Sequence, residues 1–292
     1  MLKLYDIFMK SQPSESEVRA ILSRVLQDRA NLLRWIKIQG NFRSQFAEIR
    51  SLKNRFANHN LLIVGNGPSS AKLEPSQVAE FRSRGGLVMG MNFANTNPAL
   101  SDIPLDFYVS ADRRPAQDRP LHDYLKTHEK LQAFFPEIRT ETWQIALPQL
   151  TIFSFCRVRV RFLRAPWWGN SPDKPKRFMS STGLHAVQIA QWLGFTNIFV
   201  IGLDNTYFRE FEPNSHGSFT QRMTHAGEKD FFESFSTDTA TYLREQSQLF
   251  QDFWIFSGSN IFNLDKFSYT DAFEKIDFPS ALVKAFGSIP SD

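Results

Sequence analysis

The chain has a single cysteine, Cys156, in 292 residues. A lone thiol closes no internal disulfide, and no Cys/His group has the spacing of a structural zinc site. Both point to a reducing compartment. Met1 to Lys10 lack the basic start and apolar stretch of a secretory signal, and no run approaches the roughly 20 apolar residues that span a bilayer. The expectation is a cytoplasmic protein, soluble or held only peripherally at the inner membrane. No internal repeat or low-complexity tract is present, no Asp-x-Asp pair occurs, and no glycine-rich stretch ends in a P-loop lysine. These absences weigh against solenoid arrays, against the carboxylate pair that holds a divalent ion on sugar diphosphates, and against Walker-type triphosphate sites.

What is present is a globular composition. Hydrophobic residues make up 42% and charged residues 22%, enough apolar side chains to bury a core, so disorder is set aside. The 29 phenylalanines fill that core, with a share left for an apolar lid or a membrane-facing surface. The net charge of +4 is uneven. Residues 1–60 carry 11 Lys+Arg against 5 Asp+Glu, so the rest of the chain is slightly acidic. The basic balance therefore belongs to an N-terminal arm, 1–58. It reads as a solvated helix face, or as a surface drawn to anionic lipid or an acidic glycan. No nucleic-acid-binding motif accompanies it, and nucleic acid is not an expected partner.

Within the arm, Ser14 and Glu17 have the spacing of a capping box. Val18, Ile21, Leu22, Val25 and Leu26 then recur at three-and-four spacing, as on one helical stripe. A second basic amphipathic segment with Leu32, Leu33, Trp35 and Ile36 leads towards Phe56. Such an arm can pack on its own domain, on a second subunit in a homo-oligomer, or on a membrane surface.

From residue 59 to 292 the pattern is that of one α/β domain. Strands are expected near 61–65, 87–92, 105–110, 144–147, 151–156, 197–202 and 253–257, and helices near 75–84, 117–128, 182–193 and 237–250. This alternation predicts a Rossmann-like, mostly parallel sheet with helices on both faces, whose ligands sit beyond the carboxyl ends of the strands. Arg157, Arg159 and Arg161 alternate with valines, giving a solvated face or an anion-binding one. The stretches around Trp167–Asn170 and 208–236 read as irregular, the latter as a lid.

Two small-residue turns fall on the expected ligand edge. Gly65-Asn66-Gly67-Pro68-Ser69 follows the apolar run Leu61–Val64, and Ser181-Thr182-Gly183 opens a helix leading to Gly202-Leu203-Asp204. Backbone N–H groups at such a turn favour a phosphate or carboxylate, and two turns on one sheet suggest a ligand with more than one polar part. The first begins like a dinucleotide fingerprint, but Ser70 stands where that pattern needs its last glycine. The next strand ends in Asn92 rather than an acid, which disfavours NAD. Asn66 and Asn92 suit ribose or sugar oxygens, or serve only their own turns. Asn95 and Asn97 read as turn residues. Asp112 is placed for a sugar hydroxyl or for capping, Arg177 for a donor carboxylate or for solvent, and His185 for a structural role.

These residues together resemble the bacterial family-42 sialyltransferases: Gly65-Asn66-Gly67-Pro68-Ser69, then Asn92, then Ser181-Thr182-Gly183 leading to Gly202-Leu203-Asp204. The segment from Ser180 to Asp204 is also similar to the small sialylmotif of animal sialyltransferases and to certain lipopolysaccharide Kdo transferases. The resemblance covers roughly 60–260. It implies metal-independent, inverting transfer of a sialic acid or related keto-sugar (Kdo) from a CMP-activated donor to a cell-surface glycan, with no bound cofactor. It further implies that Gly65, Asn66, Gly67, Ser69 and Asn92 meet the nucleotide or donor sugar, Ser181, Thr182 and Gly183 the CMP portion, and Asp204 the ribose. Tyr207 would assist the departing phosphate, and His225, or else His216, would be the base. Pyrophosphokinase-like and flagellin-glycosylation accessory proteins share Gly-x-Gly-Pro-Ser turns, so they stand as the alternative, as does a nucleotide-binding partner protein without chemistry.

Overall fold

A computed structural model describes residues 15–112, 114–137, 147, 149–158, 170–178, 181–206, 211–213, 219–223, 226, 231–235, 239–258 and 260–287. Eight strands form one open sheet in the order β11-β10-β6-β1-β2-β3-β4-β5. They are β1 Asn60–Val64, β2 Leu87–Met91, β3 Phe107–Val109, β4 Gln132–Pro136, β5 Gln149–Phe153, β6 Asn197–Ile201, β10 Ile261–Asn263 and β11 Glu274–Lys275. Every pairing in it is parallel. The expected α/β class is therefore present.

Both sheet faces are covered, and the sequence of β1 shows why. Leu61 and Ile63 enter one core with α2 (Arg43–Ser51), α5 (Thr182–Leu193) and the end of α6 (Thr239–Phe253). Leu62 and Val64 enter the other with α3 (Pro75–Ser83), α4 (Arg119–Lys126) and α7 (Phe278–Phe286). A strand buried on both faces is apolar throughout instead of alternating. Helix starts follow local chemistry: the Asp118 carboxylate accepts from Leu121 N at 2.7 Å, and the Asp277 carboxylate from Ser280 N at 3.0 Å.

The arm forms α1 (Glu15–Asn41) and then α2. Its inner face is pinned by polar contacts: Asn31 Nδ2 donates to Arg157 O at 2.9 Å, and Trp35 Nε1 to Asp173 O at 3.2 Å. Phe46 and Ile49 of α2 are fully buried.

Three sequence expectations need correction. The strand near 253–257 is the end of α6 followed by a 3-10 turn, Trp254–Phe256. Phe253 and Phe256 are buried while Trp254 is 56% exposed, an i, i+3 pattern that suits a helix, and the strand comes later, as β10. Strand β4 was not anticipated; its five residues are all buried, and such a short apolar run has no period to read. The 208–236 segment is not irregular throughout. It holds a three-stranded antiparallel sheet, β7 (Phe211–Pro213), β8 (Phe219–Met223) and β9 (Phe231–Phe235), with Phe219 opposite Phe235 and Met223 opposite Phe231. Of the strand expected at 144–147, only Leu147 lies among the described residues, and it is not in a strand. Arg157 makes an isolated bridge with Lys176; Arg159, Arg161 and 167–169 lie outside the described residues.

Candidate functional site

Strand β1 has β2 on one side and β6 on the other, so successive connections leave it in opposite directions. That arrangement opens a crevice at the carboxyl ends of β1 and β6. The cleft there has a volume of about 290 Å³, and its walls include Asn66, Gly67, Asn92, Asp112, Ser181, Thr182, Gly183 and Asp204. The two small-residue turns, far apart in the chain, meet on one ligand-sized space.

Glycine is required where the β1 and β6 turns cross. Gly65 N donates to Ile201 O at 2.8 Å and Gly67 N to Gly202 O at 2.9 Å. A Cβ on Gly65 would lie 2.4 Å from Gly202 O, and one on Gly67 would lie 2.0 Å from Asp204 Oδ2. Gly202 has φ +74°, a left-handed conformation that glycine adopts without strain. Asn97 closes the same turn from behind, donating to Gly65 O at 2.9 Å and Ser70 Oγ at 3.0 Å. Ser69 faces inward as well: its Oγ accepts from Gly202 N at 2.9 Å, and its N–H donates to Asp204 Oδ2 at 3.1 Å. Gly65 and Ser69 thus build the wall, while Asn66 and Gly67 line it.

Asn92, at φ +46°, is fixed by its neighbours. Tyr108 Oη donates to its carbonyl at 2.6 Å, and the hydroxyls of Ser110 and Thr182 donate to its Oδ1 at 3.2 and 3.1 Å. Ala111 N donates to Thr182 Oγ1 at 3.3 Å, so the Thr182 proton is directed to Asn92. With Oδ1 engaged twice, Nδ2 is the end of this cleft-lining amide that has donors to offer a ligand. Ser181 caps α5, its Oγ accepting from Leu184 N at 3.2 Å. The first N–H groups of α5 therefore open onto the cleft, where the helix dipole favours an anion.

Asp204 is 6% exposed. Burial raises its pKa above the usual 3.8; hydrogen bonds from Ser69 oppose the rise, and the neighbouring Asp265 carboxyl adds to it. Opposite, Asp112 accepts from Arg114 Nε and Nη2 at 2.9 and 2.6 Å, and the guanidinium carbon lies 5.8 Å from the centre of the Phe93 ring. Arg114 is the one cation among the described lining residues.

Asn205, expected at this edge beside Asp204, lines the cleft; Phe93, Arg114 and Thr206 line it too, and none of these three was singled out from the sequence. Each lies within two residues of one that was, since a chain leaving a strand end presents several consecutive residues to the same edge. Tyr207, His216 and His225 lie outside the described residues. Ala226 is described, and its N–H donates to Asn66 O at 2.9 Å. His185 lies away from the cleft wall, fully buried beside Phe153, Phe155 and Phe178. Burial drives its pKa well down. Arg177 is exposed and is not part of the wall. Among the described residues no three His, Cys, Asp or Glu side chains gather as a metal site.

No family model and no curated protein matches the chain. Among solved structures it is similar to the MAf glycosyltransferase from Magnetospirillum magneticum AMB-1, with 14% identity and a TM-score of 0.48. The likeness covers 81% of this chain and 38% of that one, and at that distance it carries no argument about activity.

Proposed function

We propose that this chain is a glycosyltransferase that moves a sialic acid or related keto-sugar such as Kdo from a CMP-activated donor to a glycan acceptor, with inversion and without a metal. The observation that supports this reading is the meeting of Asn66, Asn92, the first turn of α5 and Asp204 around one cleft at the sheet's switch point.

In this account the α5 N-terminus takes the phosphate of CMP and Asp204 the ribose hydroxyls. The Nδ2 group of Asn92 donates to the nucleotide or donor sugar, and Asn66 lines the same cleft. Arg114, oriented by Asp112, meets the donor's second anionic group, the sugar carboxylate. The acceptor oxygen attacks the anomeric carbon as the bond to the CMP phosphate oxygen breaks, and the acceptor proton passes to His225. His216 is the second choice for that role. Tyr207 donates to the leaving phosphate, whose single phosphoryl group can be stabilised by hydrogen-bond donors alone.

Incubation with CMP-sialic acid and CMP-Kdo in EDTA tests the proposal. Release of CMP that depends on an added acceptor glycan is expected, and it should disappear in His225→Ala while CMP still binds. Activity that requires magnesium would favour a diphosphate transferase instead.

A further inference from the structure

Helix α1 packs one face on the domain and, among the described residues, leaves a second, apolar face exposed. The inner face carries Asp28, Asn31, Trp35 and Ile38 against the domain. On the outer face Leu22, Leu26, Leu33 and Ile36 are 57%, 64%, 68% and 56% exposed. The steps 22, 26, 29, 33, 36 alternate four and three, so these side chains form one continuous stripe along the helix. Arg29 occupies its middle, and Arg19 and Lys37 flank it; all three are exposed. Isolated surface leucines need no explanation, whereas four on one solvent-facing stripe do.

We propose that this outer face of α1 lies on an anionic lipid surface. The choice of occupant rests on charge. A second copy laid antiparallel on the stripe would set Arg19 against Lys37 and Arg29 near its twin, and a parallel copy would set Arg29 against Arg29. An anionic bilayer accepts the leucines between its acyl chains and pairs the cations with headgroups, as basic amphipathic helices do in the interface plane. No helix among the described residues is long and apolar enough to cross a membrane, so the contact would be parallel to the surface. The inference does not depend on the proposed reaction, because the stripe is built from residues outside the cleft.

The test is cosedimentation of the full chain with phosphatidylglycerol/phosphatidylcholine vesicles and with phosphatidylcholine alone. Binding to the anionic vesicles is expected, weakening as salt rises. Leu26→Gln/Leu33→Gln should reduce it about tenfold or more, and Arg29→Gln/Lys37→Gln should remove the preference for anionic lipid; both should keep the wild-type circular dichroism. The proposal is overturned if the wild type ignores anionic vesicles, or if Leu26→Gln/Leu33→Gln binds them equally well. It is overturned too if the chain forms a dimer that this double variant dissolves.

Discussion

At the scale of single residues the cleft depends on atoms that cannot be enlarged and on a carboxyl that is costly to ionise. Gly67→Ala would drive a methyl group into Asp204 Oδ2, 2.0 Å away, and towards Gly202 O at 2.7 Å. We expect a loss of about 1–3 kcal/mol in denaturant unfolding and a larger proportional loss of CMP binding by calorimetry. For Asp204 the folded-state pKa is raised by burial, so the folded chain holds that proton more tightly than the unfolded chain. The group is neutral in both states below about pH 3.8 and opposes folding increasingly as pH rises past its unfolded value. Asp204→Asn should therefore raise Tm at pH 7, with the gain vanishing in acid, while weakening nucleotide binding. A lower Tm at pH 7 would show that the ionised carboxylate is favoured where it stands. Arg114→Ala should reduce affinity for the CMP-keto-sugar more than for CMP itself; equal losses would place the guanidinium on the phosphate.

At the scale of elements, the bounds of α5 and the apolar run of β1 were legible, whereas the equally buried β4 and the helix α7 were not. The helix expected near 182–193 is α5, with Ser181 as its N-cap and Gly194 as a left-handed C-cap with φ +87°. Ser181→Ala should lower stability by about 1 kcal/mol and also weaken CMP binding, because it disturbs the turn that presents the N–H groups. The strand near 253–257 was misread because four apolar residues suit a strand or a helix end equally, and burial decides between them. A buried cluster holding the ends of β4 and β5 was invisible for a different reason: its members are distant in sequence. Burial pushes the Glu137 pKa up and the Lys176 pKa down, and each charge partly offsets the penalty on the other. Lys176 Nζ donates to Pro172 O at 2.8 Å. Lys176→Met, which removes the larger of the two positive charges that favour ionised Glu137, the other being Arg34, should cost up to about 3 kcal/mol near neutral pH. The loss should shrink in acid, where Glu137 is protonated. Glu137→Gln/Lys176→Met should recover most of it in urea titrations at pH 7.

At the scale of the whole molecule, the sequence pattern led to the α/β class and to the edge on which a ligand would sit. Continuous apolar strands such as Leu61–Val64 imply a parallel sheet, and parallel sheets bind ligands at carboxyl ends. Strand order was not legible. Placing β1 between β2 and β6 is a tertiary choice, and it is what brings Asn66 and Thr182 to one cleft. Residues such as Arg114 and Phe93 were missed because their position depends on how the loops after β2 and β3 fold back, which no local pattern encodes. The account's central claim is that these converging loops bind a pyrimidine nucleoside monophosphate without a cation. Thermal unfolding in EDTA with CMP, CDP, UDP, GDP and NAD tests it most directly, since a ligand that binds only the folded chain raises its apparent stability. The account predicts the largest rise with CMP and none with NAD; a rise with NAD alone, or with no nucleotide unless magnesium is restored, would contradict it.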